Sequence, residues 1–168
     1  MAESTARPAA ASATSMTELV MPQHANVLGT CFGGVILSWI DIAGAICARR
    51  HCGTTCVTAA FDDVHFHVPI RVGDIVNVSA VVTFTGRTSL EVEVQLARER
   101  SGGPKEHAIT AFVTFVAVDA DGRPQPVPPL QVDSAADVAR FEAGAGRRRD
   151  RLQRAASSRD VASGTAGT

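Results

Sequence analysis

The sequence predicts an α+β fold in which an antiparallel sheet wraps around one long buried helix, with a helical tail at the C-terminus. Residues 35–51 carry apolar side chains at helical spacing over most of the circumference, which is typical of a buried helix. Four strand-forming segments then follow one another between residues 57 and 118 without another helix. Consecutive strands favour an antiparallel sheet over alternating β and α units, and a curved sheet is one way to bury the helix.

Length and composition fit one domain of a soluble globular protein. The chain has 168 residues, of which 45% are hydrophobic, and a formal net charge of -1 at pH 7. A near-zero charge gives no reason to expect nucleic acid as a partner. No apolar run approaches the roughly 20 residues that a membrane-spanning helix needs, so no membrane partner is expected either. We therefore expect a cytoplasmic protein.

Composition divides the chain into four parts. Residues 1–15 are rich in Ala, Ser and Thr and predict a disordered tail, because they lack the apolar centre of a secretory signal; an organelle transit peptide is the alternative. Residues 16–130 form the predicted sheet-and-helix domain. Residues 131–156 are predicted to be a C-terminal helical extension, and residues 157–168 a second disordered tail.

The first elements are a short strand and the buried helix. Residues 17–22 predict a strand that ends at a proline, and a loop then leads to the pair Gly33 and Gly34. Positive charge at residues 49–51 suits the end of the helix dipole, and Gly53 supplies the stop. The apolar positions of the helix lie three and four residues apart: Ile36, Trp39, Ile40, Ala43, Ile46 and Cys47.

The four later strands are predicted from alternation and from the turns that separate them. They cover residues 57–68, 75–85, 90–96 and 106–118. The last of them is apolar on both faces, and a strand of this kind is buried on both faces, which suggests that subunits pair. In the second strand one face is predicted to hold Val76, Val78, Ala80, Val82 and Phe84.

The C-terminal part begins with an extended, Pro-rich segment at residues 124–129. Asp133 or Ser134 can cap a helix that runs to about residue 156. Its arginine-rich surface is either a solvated helix face or a surface for anionic groups or a partner subunit, and the sequence leaves both interpretations open. The arginines are Arg147, Arg148, Arg149, Arg151 and Arg154.

The cysteines predict reduced, partly buried thiols, with zinc as the alternative. Three of them fall within ten residues, beside His51. Their Cys-x4-Cys and Cys-x3-Cys spacings have no second ligand pair downstream, which a zinc site usually needs, so we predict no metal. The four are Cys31, Cys47, Cys52 and Cys56.

The junction between the loop and the buried helix is the informative feature for chemistry. The first N–H groups of a helix have no acceptor within it, and Gly33 and Gly34 would let a substrate carbonyl approach them closely. Such a helix start can hold the negative charge that develops on an oxygen in a transition state. Glycines that serve only tight packing are the alternative.

Three polar residues near this junction are further candidates. Asp41 lies about two turns into an otherwise apolar helix, where an ionised carboxylate is costly to bury without partners. It is either satisfied by backbone donors or acts as a general base or nucleophile. Asn26 either forms a turn or orients water or a substrate carbonyl. His24 is a weaker candidate, because loop histidines commonly have no direct role.

Several motifs in a fixed order resemble one known family. The run from His24 to Gly34, followed by Trp39-Ile40-Asp41, resembles the cytosolic acyl-CoA thioester hydrolases of the hotdog superfamily. The resemblance covers about residues 17–154. It continues through Val57-Thr58-Ala59, Asp63-Val64-His65-Phe66, Val72-Gly73-Asp74, Gly86-Arg87-Thr88-Ser89 and Thr114-Phe115-Val116-Ala117.

The resemblance implies a hotdog fold and hydrolysis of an acyl-CoA to free CoA and a carboxylic acid. It implies no cofactor, since CoA is part of the substrate. The family's catalytic Asn maps to Asn26 and its helix Asp to Asp41, and these come from different subunits of a homodimer, often within a hexamer built as a trimer of dimers. Gly33 and Gly34 would polarise the thioester carbonyl. The residues expected to bind the substrate or CoA are His24, Phe32, Val57, Thr58, Gly86, Arg87, Thr88 and Ser89, since an Arg suits a phosphate.

Two other functions remain as alternatives. A hotdog hydratase or dehydratase usually needs a His–carboxylate pair, whereas His65 and His67 lie in a strand without a matching helix His. A non-catalytic hotdog protein that binds acyl-CoA as a sensor or scaffold is the second, and the presence of Asn26 and Asp41 argues against it.

Overall fold

The structure, a computed structural model, describes residues 5–164, with the side chains of residues 5–157 other than residue 63. It divides into two compact units, Met1–Gln131 and Val132–Thr168. The first unit contains β1 (Arg7–Pro8), β2 (Thr14–Leu19), α1 (Gly33–Cys52), β3 (Thr55–Phe66), β4 (Ile75–Thr85), β5 (Ser89–Glu99), β6 (Lys105–Val118) and β7 (Leu130–Gln131). The second unit contains α2 (Ala135–Gly164).

Helix α1 lies where the apolar period predicts it and is buried along one side. It begins at Gly33, after an extended Phe32, and ends at Cys52, before Gly53, which adopts the left-handed region at φ 73°. Ile42 and Ile46 on its other side are 46% and 38% exposed. The predicted burial around most of the circumference is therefore corrected, because the sheet of one chain covers only one side. The buried side consists of Ile36, Trp39, Ile40, Ala43, Gly44, Cys47, Ala48 and His51.

The predicted antiparallel sheet is confirmed, with the strand order β2-β4-β5-β6-β3. Its inner face is a continuous apolar layer because the register aligns inward positions: Val82 pairs with Val92, which pairs with Val113. Helix α1 packs on this face. A Cβ atom at Gly44 would come within 2.9 Å of the Phe115 ring, so a glycine is needed where helix and sheet approach most closely. The α+β architecture follows from the sequence pattern.

The predicted inward position of Phe84 is wrong, because β4 contains a bulge. The register between β4 and β5 shifts between Val82 and Phe84, so Phe84 pairs with Glu91. Glu91 alternates with Leu90 and Val92, whose side chains face α1, and Phe84 therefore lies on the opposite face from the one predicted. A single extra residue reverses the alternation of inward and outward side chains. The sequence of β4 gives no sign of this, because apolar residues occur on both sides of the bulge.

Regular structure begins before residue 16, which corrects the predicted N-terminal tail. Strand β1 pairs in parallel with β7, and β2 pairs with β4 from Thr14 onward. Arg7 Nη1 donates to the carbonyl of His51 at 2.6 Å, and Ser12 is 1% exposed. These contacts join residues far apart in the chain, so local composition does not reveal them. Residues 1–4 of the predicted tail lie outside the described residues.

Helix α2 begins at the predicted cap. The Ser134 hydroxyl accepts a hydrogen bond from the backbone N–H of Asp137 at 3.1 Å, and Ser134 N donates to the Asp137 carboxylate at 3.2 Å. The helix continues past residue 156 to Gly164, because residues 157–163 contain no Pro or Gly that would end it earlier. The predicted disordered tail is corrected over residues 157–164, and residues 165–168 lie outside the described part. No helix within residues 5–164 is long and apolar enough to cross a membrane.

Candidate active site

Asp41 and Thr58 form the polar contact at the centre of the candidate site. Asp41 is half-buried on α1, and the Thr58 hydroxyl on β3 donates to its Oδ1 at 2.5 Å. Thr58 pairs with Phe115, a fully buried residue of the inner face, so its side chain points toward the helix. Within the described residues Asp41 has no further hydrogen bond, and Oδ2 is therefore available as a proton acceptor. The first interpretation of Asp41 is that backbone N–H groups satisfy its carboxylate. Among the described residues its donor is instead the Thr58 side chain.

Asn26 forms a turn in the loop between β2 and α1. Its Oδ1 accepts from the backbone N–H groups of Leu28 at 2.9 Å and Thr30 at 3.3 Å, and its Nδ2 donates to the Thr30 hydroxyl at 2.8 Å. Gly29 closes the turn at φ 73°. This network fixes the amide against its own loop and leaves one N–H of Nδ2 free to donate outward.

The start of α1 retains the unpaired donors that the sequence predicts. No side chain caps the helix, and the backbone N–H groups of Gly33 and Gly34 have no hydrogen bond among the described residues. A Cβ atom at Gly34 would come within 2.6 Å of the Phe32 ring, so tight packing also accounts for this glycine. Phe32 is 58% exposed, and its ring lies beside the helix start. Tight packing therefore accounts for Gly34 but not for Gly33, where a Cβ atom would lie 4.0 Å from the Phe66 ring.

His24 holds the loop against the helix. Its ring meets that of Trp39 edge-on, with centroids 5.4 Å apart, and its Nδ1 accepts from the backbone N–H of Met21 at 3.2 Å. Its carbonyl accepts from Phe32 N at 2.7 Å. These contacts position Phe32 and the helix start, and a direct contact of His24 with substrate stays a prediction.

A single chain does not bring Asn26 and Asp41 together through any described hydrogen bond. The side-chain partners of Asn26 lie at residues 28–30, and that of Asp41 is Thr58. Strand β3, which carries Thr58 and the half-exposed Val57, is an edge of the sheet. Val27 and Leu28, beside Asn26, are 101% and 83% exposed. Both halves of the candidate site thus lie on surfaces that a second chain could cover.

The turn between β4 and β5 holds the remaining predicted binding residues. Gly86 N donates to Ser89 O at 2.7 Å, and the carbonyl of Thr88 accepts from Ala117 N at 3.0 Å. Arg87 is exposed and forms no ion pair with another described residue. Leu90, Phe115 and Thr58 form one cross-strand row, so the turn lies roughly 10 Å along the sheet from the level of Thr58.

The histidines of the hydratase alternative lie elsewhere. The rings of His65 and His67 are 6.4 Å apart, and those of His67 and His107 are 5.5 Å apart. All three are exposed, and the ring of His107 also bonds the Thr110 hydroxyl at 3.1 Å. They make no described contact with Asp41.

The cysteines are free in the described part of the chain, where no group of His, Cys, Asp and Glu is arranged to hold a metal ion. Cys31, Cys47 and Cys56 are buried, and Cys52 is half-buried. Burial raises the pKa of the Cys47 thiol to about 11, which keeps it protonated and unreactive at neutral pH.

Two polar residues have roles that sequence reasoning missed. Thr58 was expected only as a binding residue, yet it donates to Asp41; its position in β3, in line with the buried Cys56, is the signal that could have placed it on the inner face. Glu91 alternates with apolar residues like a solvated side chain but is 1% exposed, and the Thr83 hydroxyl donates to it at 2.7 Å. No pattern in the sequence marks that burial.

Comparisons with known proteins find relatives among the acyl-CoA thioester hydrolases. A family model described as the thioesterase superfamily matches residues 28–104. An uncharacterized acyl-CoA thioester hydrolase of Bacillus subtilis is 37% identical over 139 residues, which cover 82% of this chain and 81% of that protein. The cytosolic acyl coenzyme A thioester hydrolase of Mus musculus is 36% identical over 81% of this chain. The chain spans about a third of that protein's length, since the match covers 36% of it.

Solved structures are similar over almost their whole length. The acyl-CoA hydrolase of Bacillus cereus is 38% identical with a TM-score of 0.87, covering 95% of this chain and 98% of that one. A hexameric acyl-CoA thioesterase is 37% identical with a TM-score of 0.85, covering 90% and 98%. The acyl-CoA hydrolase of Staphylococcus aureus, solved with butyryl coenzyme A, coenzyme A and coenzyme A disulfide, is 31% identical with a TM-score of 0.86, covering 95% and 98%.

Proposed function

Because the chain belongs to the acyl-CoA thioester hydrolases of the thioesterase superfamily, we propose that it hydrolyses acyl-CoA to free CoA and a carboxylic acid. The observation that carries the proposal is the carboxylate of Asp41, held by Thr58 with one oxygen available, on a helix whose first N–H groups are unpaired. The structure of the Staphylococcus aureus relative with butyryl coenzyme A supports the substrate class.

In the proposed reaction the thioester carbonyl oxygen lies at the N–H groups of Gly33 and Gly34. Asp41 accepts a proton from a water molecule, whose oxygen attacks the carbonyl carbon. The negative charge that develops on the carbonyl oxygen is stabilised by the helix start, where one donor is typically worth about 3 kcal/mol. The C–S bond then breaks, and the CoA thiolate leaves and takes up the proton. Thr58 orients the carboxylate throughout.

We propose that Asn26 of one subunit and Asp41 of its partner complete each site in a homodimer. The separate hydrogen-bond networks of Asn26 and Asp41 support this arrangement, as do the free edge of β3 and the exposed apolar side of α1. A hexamer built as a trimer of dimers is the proposed full assembly. The hexameric state of a solved relative supports it.

The remaining predicted residues are proposed to bind the substrate. Phe32 is exposed beside the helix start, and Val57 is exposed on β3. Both would contact the acyl or pantetheine part of the substrate, next to His24 and Thr58. The turn of Gly86, Arg87, Thr88 and Ser89 would contact the phosphates of CoA. The reaction as proposed uses water, side chains and the backbone N–H groups of the helix start, with CoA entering as part of the substrate. A cytoplasmic location is proposed too, supported by relatives named as cytosolic.

A thiol-release assay with acyl-CoA esters of increasing chain length tests the proposed function. We expect free CoA and carboxylic acid in equal amounts, with turnover that depends on chain length. Tight binding of acyl-CoA without release of thiol would show a sensor or scaffold instead. Loss of the enoyl absorbance from an unsaturated ester, again without thiol, would show a hydratase.

Replacing Arg87 by Ala is expected to raise the KM for acyl-CoA about five- to tenfold with little change in kcat, because an exposed charge-assisted contact to phosphate binds substrate and transition state alike. Steady-state kinetics on one good ester measure this. Arg100→Ala makes the same change at the other end of the sheet, where Arg100 follows β5, and should leave both constants unchanged. An unaltered KM in the Arg87 variant would remove this residue from the binding surface.

A further inference from the structure

Residues 127–129 tie three parts of the first unit together at one end of the sheet. The backbone N–H of residue 127 donates to the carbonyl of Arg87 at 3.0 Å. The imidazole Nε2 of His51 donates to the carbonyl of residue 128 at 3.0 Å. The backbone N–H of Arg7 donates to the third at 2.9 Å. The β4–β5 turn, the end of α1 and β1 are therefore neighbours, although they are far apart in sequence.

Four arginines lie on the segments that are joined here, and they have no acidic partner among the described residues. They are Arg7, Arg49, Arg50 and Arg87, and none takes part in a described ion pair. Arg7 Nη1 donates to the carbonyl of His51 at 2.6 Å and Arg50 Nη1 to the carbonyl of Ala13 at 3.1 Å, and both acceptors are neutral. Four positive charges are thus left uncompensated in one region, which favours an anionic ligand.

The acidic groups near this region are already engaged. Asp119, directly after β6, accepts the backbone N–H groups of Asp121 at 2.9 Å and Arg123 at 2.8 Å. Asp121 pairs with the Arg123 guanidinium at 3.2 Å. The negative end of the α1 dipole opposes an anion, but Arg7 binds the last carbonyls of the helix and offsets it.

A shallow depression of about 530 Å³ lies beside two of these arginines. It is lined by Arg49, Arg50 and residues 53–55. A Cβ atom at Gly53 would lie 3.7 Å from the Arg7 guanidinium, so Arg7 lies next to a residue that lines the depression. The Thr55 hydroxyl is exposed on the same surface. We call this surface the α1-end depression. Guanidinium forks and hydroxyl donors around a cavity match the oxygens of a phosphate group.

We infer that the α1-end depression binds the 3′-phosphate of the acyl-CoA substrate, while Arg87 contacts the diphosphate. CoA carries phosphate at these two places, separated by a ribose, and residues 127–129 join the backbone of the turn that carries Arg87 to the end of α1, which lines the depression. This inference rests on the proposed function, because it names a subsite for the same substrate.

Comparing acyl-CoA with the matching ester of 3′-dephospho-CoA tests the inference in Arg49→Ala. Arg49 is chosen because its guanidinium makes no described hydrogen bond, so its loss leaves the fold intact. The KM for acyl-CoA should rise about three- to tenfold, since an exposed charged contact is worth about 1 kcal/mol. The KM for the dephospho ester should stay constant. Arg49→Lys should retain most of the affinity, and Arg100→Ala should leave both substrates unaffected.

Three results would overturn the subsite. Equal rises of KM for both esters would show that Arg49 contacts some other part of the substrate, and unchanged values for both would show no contact. If the wild-type protein released no thiol, the proposed function would fail separately. Calorimetry with adenosine 3′,5′-bisphosphate would then test phosphate binding at the depression without any hydrolysis. If Arg49→Ala did not weaken that binding, the inference would also be contradicted.

Discussion

Asp41→Asn is expected to lower kcat for acyl-CoA hydrolysis about 10²- to 10⁴-fold, the range over which a general base contributes. The amide keeps the size of the carboxylate, and its oxygen can still accept the hydrogen bond that Thr58 donates at 2.5 Å. What it loses is the capacity to take a proton from water. Steady-state thiol release measures the fall, and Asp41→Ala should show at least as large an effect.

The matched control is Asp121→Asn, which makes the same chemical change on an exposed carboxylate in the turn after β6. Its kcat should equal that of the wild-type protein. Size-exclusion chromatography should give the same oligomer for all variants, since Asp41 is half-buried and contributes little apolar packing. Wild-type turnover in Asp41→Asn would sink the assignment of Asp41 as the base and leave Thr58 without a catalytic partner.

The elements of the fold could be predicted because their signals are local. The apolar period of α1 lies within one segment, and so does the alternation of β4 and β5. Both periods follow directly from backbone geometry. The glycine pair and Gly53 mark the two ends of the helix. These signals are local too, because a glycine changes the allowed backbone conformation only at its own position.

Features that depend on distant residues could not be predicted. The bulge between Val82 and Phe84 changes the facing of one aromatic ring without any change in composition. Strand β1 exists because it pairs with β7, and its two residues carry no strand signal of their own. The contact of Thr58 with Asp41 depends on how α1 lies on β3, which residue spacing does not determine.

The candidate site was predicted in its residues but not in its contacts. The helix start and Asp41 emerged from burial and charge, since an acid in an apolar helix needs an explanation. Asn26 gained its proposed role only from the family resemblance, because a turn accounts for a loop Asn equally well. In the structure it does form that turn, with Thr30 and Leu28 as partners. The catalytic role of Asn26 therefore has to be tested across subunits.

Mixing two inactive variants is expected to restore activity if the site is shared between subunits. Asn26→Ala and Asp41→Ala should each be nearly inactive as pure proteins, because every site lacks one group. A mixed dimer has one site with both native groups and one site with neither. Random pairing makes about half of the dimers mixed, so about a quarter of the wild-type activity should return. Co-expression with two different tags, followed by sequential purification, isolates the mixed species for assay.

The control is a mixture of Asp41→Ala with Asp41→Asn, in which no pairing supplies a native Asp41. It should stay inactive, so recovered activity in the first mixture cannot come from assembly alone. Absence of recovery in a purified mixed dimer would place Asn26 and Asp41 in the same subunit's site. In that case the free Nδ2 N–H of Asn26 and the free Oδ2 of Asp41 would act on one substrate within a single chain, since neither takes part in the bonds to Thr30 and Thr58. Recovery would assign the complete site to the dimer, because only the mixed pairing brings a native Asn26 and a native Asp41 into one site.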